Sequence, residues 1–102
     1  MLPLIEHHLG EIQVLCRKYR VMRLQLFGSG ARETFDTAAS DLDFFVDFED
    51  LGWRGSFKRF MGFKLELEDL LGRPVDLVEP KAIANPYFAQ VANEQRVLVY
   101  AA

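Results

Sequence analysis

Hydrophobic residues at the start of the chain recur at steps of three and four, the spacing of one stripe of an α-helix. This spacing predicts a helix over roughly residues 2–19. From Val21 to Phe27 the period shortens to two, which predicts a first strand. The face of this strand that is predicted to be buried carries Met22, Leu24 and Leu26.

Alternating and helical patterns continue through the second half of the chain. Residues Asp41–Phe48 alternate between apolar and polar side chains, which predicts a second strand. A helix is predicted from Ser56, a candidate N-cap, to Leu71, and Gly72 is placed to end it. The short segment Val75–Glu79 predicts a third strand.

The last part of the chain predicts a helix over residues 81–95 and a short strand from Arg96 to Tyr100, with a helix end as the alternative to this strand. A length of 102 residues, with 50% hydrophobic and 13% aromatic residues, indicates one globular domain spanning residues 1–102 and excludes disorder. No apolar run approaches the roughly 18 residues of a membrane-spanning helix, so no membrane contact is expected.

Charge and cysteine content narrow the possible partners and location. A net charge of −3 and a pI near 5.3 argue against direct nucleic-acid binding but allow a bound nucleotide. Cys16 is the only cysteine, so no internal disulfide can form. Because the N-terminus also lacks the basic start and apolar stretch of a signal peptide, we expect a cytoplasmic protein.

Two carboxylates form the first candidate site. Asp41 and Asp43 are two residues apart on a predicted strand, so their side chains leave the same face with Cα atoms about 7 Å apart. Both can reach one Mg²⁺ ion, which prefers carboxylate oxygens and is completed by water and substrate phosphates. Asp47 shares the face but lies about 14 Å from Asp43, too far for the same ion. An aspartate in such a position can also be an N-cap, a turn residue or a salt-bridge partner.

A third carboxylate, Asp76, lies between Val75 and Leu77 in a short apolar strand, where an unpaired charge would be costly. A bound metal ion would explain this placement. Three aspartates on neighbouring strands could hold two metal ions for an in-line displacement.

The segment Gly28-Ser29-Gly30 directly follows the first predicted strand. Glycines let the backbone approach phosphate oxygens, and the N–H groups that open a following turn form an anion site. The alternative is an ordinary turn at the end of a strand. Arg32 is close enough to place its guanidinium on a phosphate, or it pairs with a surface acid such as Glu33.

The combination of these features is more specific than any one of them. Gly28-Ser29 is followed, after 11 residues, by Asp41 and Asp43, and then by a helix and Asp76. This order resembles the nucleotidyltransferase superfamily of the DNA polymerase β type, and most closely its minimal nucleotidyltransferase (MNT) domains. The likeness covers nearly the whole chain. It implies an α+β fold, an α/β sandwich with a small mixed, mostly antiparallel sheet flanked by helices.

The resemblance also implies an activity: transfer of AMP from ATP to a hydroxyl group, with two Mg²⁺ ions and with pyrophosphate leaving. The residues implied in catalysis and metal binding are Asp41, Asp43 and Asp76. The residues implied in holding the triphosphate are Gly28, Ser29 and Arg32. Many minimal members have arginine where this chain has Gly30 and glycine where it has Glu33, so weak ATP binding is expected.

Many MNT domains are antitoxins that silence a HEPN-domain toxin, an RNase, by adenylylating it or by binding it. The resemblance therefore implies a protein adenylyltransferase with a HEPN-type toxin as partner, in a homo- or hetero-oligomer. The alternative is a non-catalytic antitoxin that neutralises its partner by contact. A third interpretation takes Asp41 and Asp43 as the Asp-x-Asp of a sugar-nucleotide transferase, an enzyme class that needs a larger domain than this one.

Other conspicuous residues are assigned structural roles first. Bulky residues in the helix after Ser56 exceed one helical face, and we expect most of them in the core and some against a partner: Phe57, Phe60, Met61 and Phe63. Trp53 could stack on adenine, but we expect it to cover the edge of the core. The adjacent His7 and His8 point in different directions and are expected at the surface. Cys16 is expected in the core.

Overall fold

The computed structural model describes residues 2–27, 41–79 and 96–102. In this part of the chain the elements are α1 (Pro3–His7), α2 (Leu9–Lys18), β1 (Val21–Phe27), β2 (Leu42–Phe48), α3 (Ser56–Leu71), β3 (Val75–Val78) and β4 (Val97–Ala101). The predicted helix over residues 81–95 and the candidate residues Gly28, Ser29 and Arg32 lie outside the described residues. No helix in the described ranges is long and apolar enough to cross a bilayer.

The strands form one mixed sheet in the order β3-β2-β1-β4. Strand β1 pairs antiparallel with β2 and β4, whereas β2 and β3 are parallel. Parallel neighbours need a crossover, and α3 supplies it between β2 and β3. The predicted α+β fold with a small, mostly antiparallel sheet and flanking helices is confirmed.

One face of the sheet packs against the helices and forms the main core. Alternate residues of each strand point to this face, and each fully buried side chain contributes about 1.5–3 kcal/mol of hydrophobic stabilisation. Its buried strand residues include Leu24, Leu26, Leu42, Phe44, Val46 and Val75. Its buried helix residues are Ile5, Ile12, Cys16, Phe63, Leu67 and Leu71. The predicted burial of Cys16 is confirmed.

The opposite face of the sheet carries Asp43, Phe45 and Asp76 and is called the carboxylate face below. A second, smaller cluster lies here, formed by Phe27 and Phe45 with Val78 packed against it. The two Phe rings are stacked, with centroids 4.1 Å apart and planes at 22°.

The single helix predicted over residues 2–19 is wrong, because the chain breaks at His8 (φ −110°, ψ 12°). The ring of His8 donates a hydrogen bond to the Leu4 carbonyl at 2.9 Å. His8 is half-buried, so the expectation of a solvated surface residue is wrong. The apolar spacing continues across the break, and Ile5 before it and Ile12 after it both reach the core.

The predicted inner face of β1 is also corrected at one position. Met22 is 46% exposed, and Val21 takes the buried place. The cause is an irregularity in the β1–β2 register between Val21 and Arg23, which shifts the alternation by one residue. The other two residues assigned to this face, Leu24 and Leu26, are fully buried as predicted.

Helix α3 begins and ends at glycines in the left-handed conformation. Gly55 (φ 73°) is its N-cap, without a side-chain capping bond, so the prediction of Ser56 as the cap is wrong. Gly72 (φ 69°) ends the helix as predicted and donates its N–H to the Glu68 carbonyl at 2.8 Å.

The bulky residues around α3 divide between core and solvent. Phe63 is fully buried and Phe60 and Met61 are half-buried, whereas Phe57 is 76% exposed. Trp53 is 81% exposed, so the expectation that it covers the edge of the core is wrong. The final strand is confirmed as β4, and β2 and β3 are each one residue shorter than predicted.

Candidate functional site

Two of the predicted aspartates lie side by side on the carboxylate face. The parallel register of β2 and β3 places Asp43 directly beside Asp76, and neighbouring strands are about 4.8 Å apart. Their carboxyl groups are close enough to share a hydrogen bond. The crossover through α3 therefore brings together two residues that are 33 positions apart in the sequence.

The surroundings of Asp43 disfavour its charge. Several causes together raise the pKa of Asp43 to about 6: the largest is partial burial, followed by the charge of Asp76, the hydrogen bond to it and the charge of Asp41. Asp41 lies two residues before Asp43, directly before β2, and is exposed. The three carboxylates concentrate negative charge here, and no cation of the described residues is among the causes of the shift.

The prediction that Asp76 lies in apolar surroundings is wrong. Val75 and Leu77 are buried on the core face, but Asp76 points to the opposite face and is exposed. It is therefore not a charge enclosed in an apolar strand. What distinguishes Asp76 is its register with Asp43.

The side chains of this site can be compared with the ligands that a metal ion requires. Among the described residues, no three His, Cys, Asp or Glu side chains converge to hold a metal ion. Mg²⁺ commonly takes only one or two carboxylates and completes its shell with water and phosphate oxygens. The pair Asp43 and Asp76 supplies the right donor atoms, and its mutual repulsion is the kind that a cation relieves. The carboxylates therefore fit Mg²⁺ bound together with a phosphate ligand.

Residues missed by the sequence analysis adjoin the aspartate pair. Phe27, the last residue of β1, is opposite Asp43 in the antiparallel register and stacks on Phe45. The guanidinium of Arg96 lies 4.2 Å from the centre of the Phe45 ring and donates a hydrogen bond to Gln25 Oε1 at 3.1 Å. Phe45 on the polar side of an alternating strand was a signal for this cluster, but nothing local marks Arg96.

A small cavity lies on the carboxylate face beyond Phe45. Its volume is about 150 Å³, and its lining residues are Arg23, Gln25, Phe45, Asp47 and Arg96. Asp47 is opposite Arg23 in the register, four positions along β2 from Asp43. This placement agrees with the expectation that Asp47 is not part of the same site.

The candidate phosphate-binding residues were predicted on the segment that follows β1. Gly28 directly follows Phe27 in the chain, and Phe27 is opposite Asp43. The structure thus fixes where β1 ends relative to the carboxylate pair. The roles of Gly28, Ser29 and Arg32 stay predictions, since these residues lie outside the described part of the chain.

Comparison with known protein families gives a match over most of the sequence. The model of a family described as "Nucleotidyltransferase domain" matches residues 12–99. Two proteins of Methanocaldococcus jannaschii, both named as candidate protein adenylyltransferases, are 37% identical to this chain over 87 residues. The aligned region covers 85% of this chain and 85% of each relative.

Solved structures share the same fold. A structure described as a candidate minimal nucleotidyltransferase has a TM-score of 0.74 and 29% identity, covering 90% of this chain and 89% of the other. A toxin–antitoxin structure with AMP-PNP has a TM-score of 0.69 at 23% identity, covering 92% and 73%. A tri-AMPylated HEPN toxin of Shewanella oneidensis in complex with its MNT antitoxin gives a TM-score of 0.65 at 20% identity, covering 96% and 73%.

Proposed function

Because the chain belongs to the nucleotidyltransferase domain family and is a nucleotidyltransferase, we propose that it transfers AMP from ATP to a hydroxyl group of a protein partner. The observation that carries this proposal is the pairing of Asp43 and Asp76 on adjacent strands. The relatives named as candidate protein adenylyltransferases support AMP as the group transferred and a protein as the acceptor.

In this proposal Asp41, Asp43 and Asp76 are the catalytic and metal-binding residues. Mg²⁺, when bound, supplies charge neutralisation on the triphosphate and polarisation of the acceptor hydroxyl. Gly28, Ser29 and Arg32 are proposed to hold the triphosphate.

The transfer itself is a displacement at the α-phosphorus. The acceptor oxygen forms a bond to this phosphorus while the bond to the bridging oxygen of the β-phosphate breaks, so that pyrophosphate leaves. The hydroxyl proton passes to a carboxylate oxygen of Asp76, whose side chain is exposed. The register of β2 and β3 holds Asp43 beside Asp76, so both carboxylates are carried by the same sheet.

We further propose that the partner is a HEPN-type toxin and that the chain acts as its antitoxin in the cytoplasm. The support is the fold shared with an MNT antitoxin in complex with an AMPylated HEPN toxin. The presence of AMP-PNP in another toxin–antitoxin structure of this fold supports an adenine nucleotide as substrate.

Neutralisation by contact alone is the second candidate function. Trp53, just before α3, and Phe57, in its first turn, favour it, because these two large apolar side chains are 81% and 76% exposed. In that case variants of the aspartates would still neutralise the toxin, whereas polar replacements of Trp53 and Phe57 would not.

The deciding experiment is a calorimetric titration of AMP-PNP with and without Mg²⁺. Wild type is expected to bind in a Mg²⁺-dependent manner, and Asp43→Asn is expected to lose that binding while its circular dichroism is unchanged. Glu6→Gln removes the same charge from exposed α1 and serves as the control. Retention of wild-type affinity by Asp43→Asn would refute the assignment of the site.

A further inference from the structure

A groove runs between the outward sides of α2 and α3, on the helical layer and away from the carboxylate face. Its volume is about 340 Å³, and it is called the α2/α3 groove. Its lining residues are Glu11, Val14, Leu15, Glu66, Asp69 and Leu70. Half of these side chains are apolar and half are acidic, and no lysine or arginine of the described part of the chain lines the groove.

The apolar part of the groove faces solvent. Val14 is 59% exposed, and the other two apolar lining residues, Leu15 and Leu70, are half-buried. The core-facing positions of the same helices are already occupied by buried residues such as Cys16 and Leu67. Leu15 and Leu70 pack partly against the core and, together with the exposed Val14, form an apolar strip that remains open to the groove.

The acidic part of the groove is mostly uncompensated. Glu66 is neutralised by Lys18, whose Nζ lies 2.9 Å from its Oε1. Glu11 and Asp69 have no ion-pair partner among residues 2–27, 41–79 and 96–102. An apolar strip beside two free carboxylates is complementary to an apolar surface bordered by basic side chains.

We propose that the α2/α3 groove is a docking surface for an amphipathic helix of a different protein, one whose apolar stripe is flanked by lysine or arginine. A groove between two helices accepts the ridge of a third helix, and anchors at helical spacing bury the apolar strip. A second copy of this chain is a poor occupant, because the net charge is −3 and like charges would meet across the interface.

The location of the groove has a functional consequence. Leu67 and Phe63 direct one side of α3 to the core face of the sheet, while Glu66, Asp69 and Leu70 line the groove. A partner can therefore be held on the helical layer while the carboxylate face stays open to nucleotide. The proposal does not rest on nucleotidyl transfer and can be tested separately from it.

The test uses the full chain and a synthetic helical peptide of roughly 18 residues, a length that supports a stable helix, with leucines at helical spacing and lysines on the flanks. We expect calorimetry to show binding of this peptide and none of an analogue with glutamates in place of the lysines. The double variant Glu11→Lys with Asp69→Lys is expected to lose affinity by about tenfold or more. Val14→Ser is expected to lose less.

The matched control is Glu6→Lys with Asp50→Lys, which changes the net charge equally at exposed sites outside the groove. It is expected to change the affinity by less than about twofold. Equal losses in both double variants would reduce the effect to net charge and overturn the proposal, as would absence of peptide binding by wild type. Self-association of wild type that the groove variant abolishes would assign the groove to a second copy instead. AMP-PNP binding by the groove variant, measured in parallel, separates this result from failure of the nucleotide site.

Discussion

Asp43 and Asp76 occupy the same register position on two parallel strands, so their carboxyl groups share one small region of the carboxylate face. Such a pair binds a proton more readily than either residue does alone, because two adjacent negative charges repel each other. The same repulsion favours a divalent cation over an empty site. Protonation of Asp43 should therefore compete with the Mg²⁺ binding that is proposed for it.

The first prediction concerns stability and pH in the absence of Mg²⁺. The pKa of Asp43 is raised to about 6 in the folded protein, above the value of roughly 3.9 for an unfolded chain. The folded state thus holds this proton longer, and the stability that it confers below about pH 4 is lost as the pH rises through about 6. Asp43→Asn should gain stability relative to wild type across this window, measured by urea unfolding. Parallel stability curves for the two proteins would contradict the expectation.

The second prediction isolates the charge of Asp76. Asp76→Asn should lower the pKa of Asp43. The measurement is a pH titration that monitors the ¹³C chemical shift of the Asp43 carboxyl carbon. Part of the shift should persist, because burial is its largest cause and is unchanged. Asp47→Asn is the control, since Asp47 is not among the causes of the shift. An unchanged pKa in Asp76→Asn would mean that the two carboxyl groups are not coupled.

The third prediction contrasts two helical glycines. A Cβ at Gly62 would lie 2.9 Å from Cε1 of Tyr19, whereas a Cβ at Gly10 would meet no atom of the described residues within 4 Å. Gly62→Ala should therefore destabilise the protein by about 1–3 kcal/mol through overpacking against Tyr19. Gly10→Ala should stabilise it by about 0.5–1 kcal/mol through helix propensity. Thermal or urea unfolding checks both, and stabilisation by Gly62→Ala would show that the Tyr19 ring moves aside freely.

The fourth prediction concerns the cation that covers the Phe45 ring. Arg96→Ala removes a guanidinium 4.2 Å from the ring centre and the hydrogen bond to Gln25. The expected loss of unfolding free energy is about 1–2 kcal/mol. Arg54→Ala is the matched control, because its guanidinium lies 5.8 Å from the ring of the exposed Trp53 and should contribute little. Equal effects of the two substitutions would argue against a specific role for the Arg96 contact.

Local periodicity was enough to predict most of the fold. The alternation in β2 and the stop at Gly72 depend on neighbours in sequence, so the pattern alone located them. The break at His8 was missed because both helical pieces present apolar residues to one core. The exposure of Met22 was missed because a strand irregularity changes the pairing without changing the composition.

The candidate site was predicted only as far as its residues are encoded by local order. Asp41 and Asp43 were identified together because their spacing puts them on one face. Asp76 was identified for a burial that it does not have, since sequence neighbours on a strand point to the opposite side of the sheet. The contact of Arg96 with Phe45 joins residues 51 positions apart through β1, and no periodic pattern specifies such a pairing.

The burial of Cys16 gives the protein an internal reporter of opening. Its thiol is inaccessible, and burial raises the pKa of Cys16 to about 12, so the reactive thiolate is scarce at neutral pH. An alkylating reagent can then modify it only when α2 separates from the sheet. The rate of alkylation therefore measures the free energy of that separation. The measurement needs no substitution, because no other cysteine in the sequence competes for the reagent.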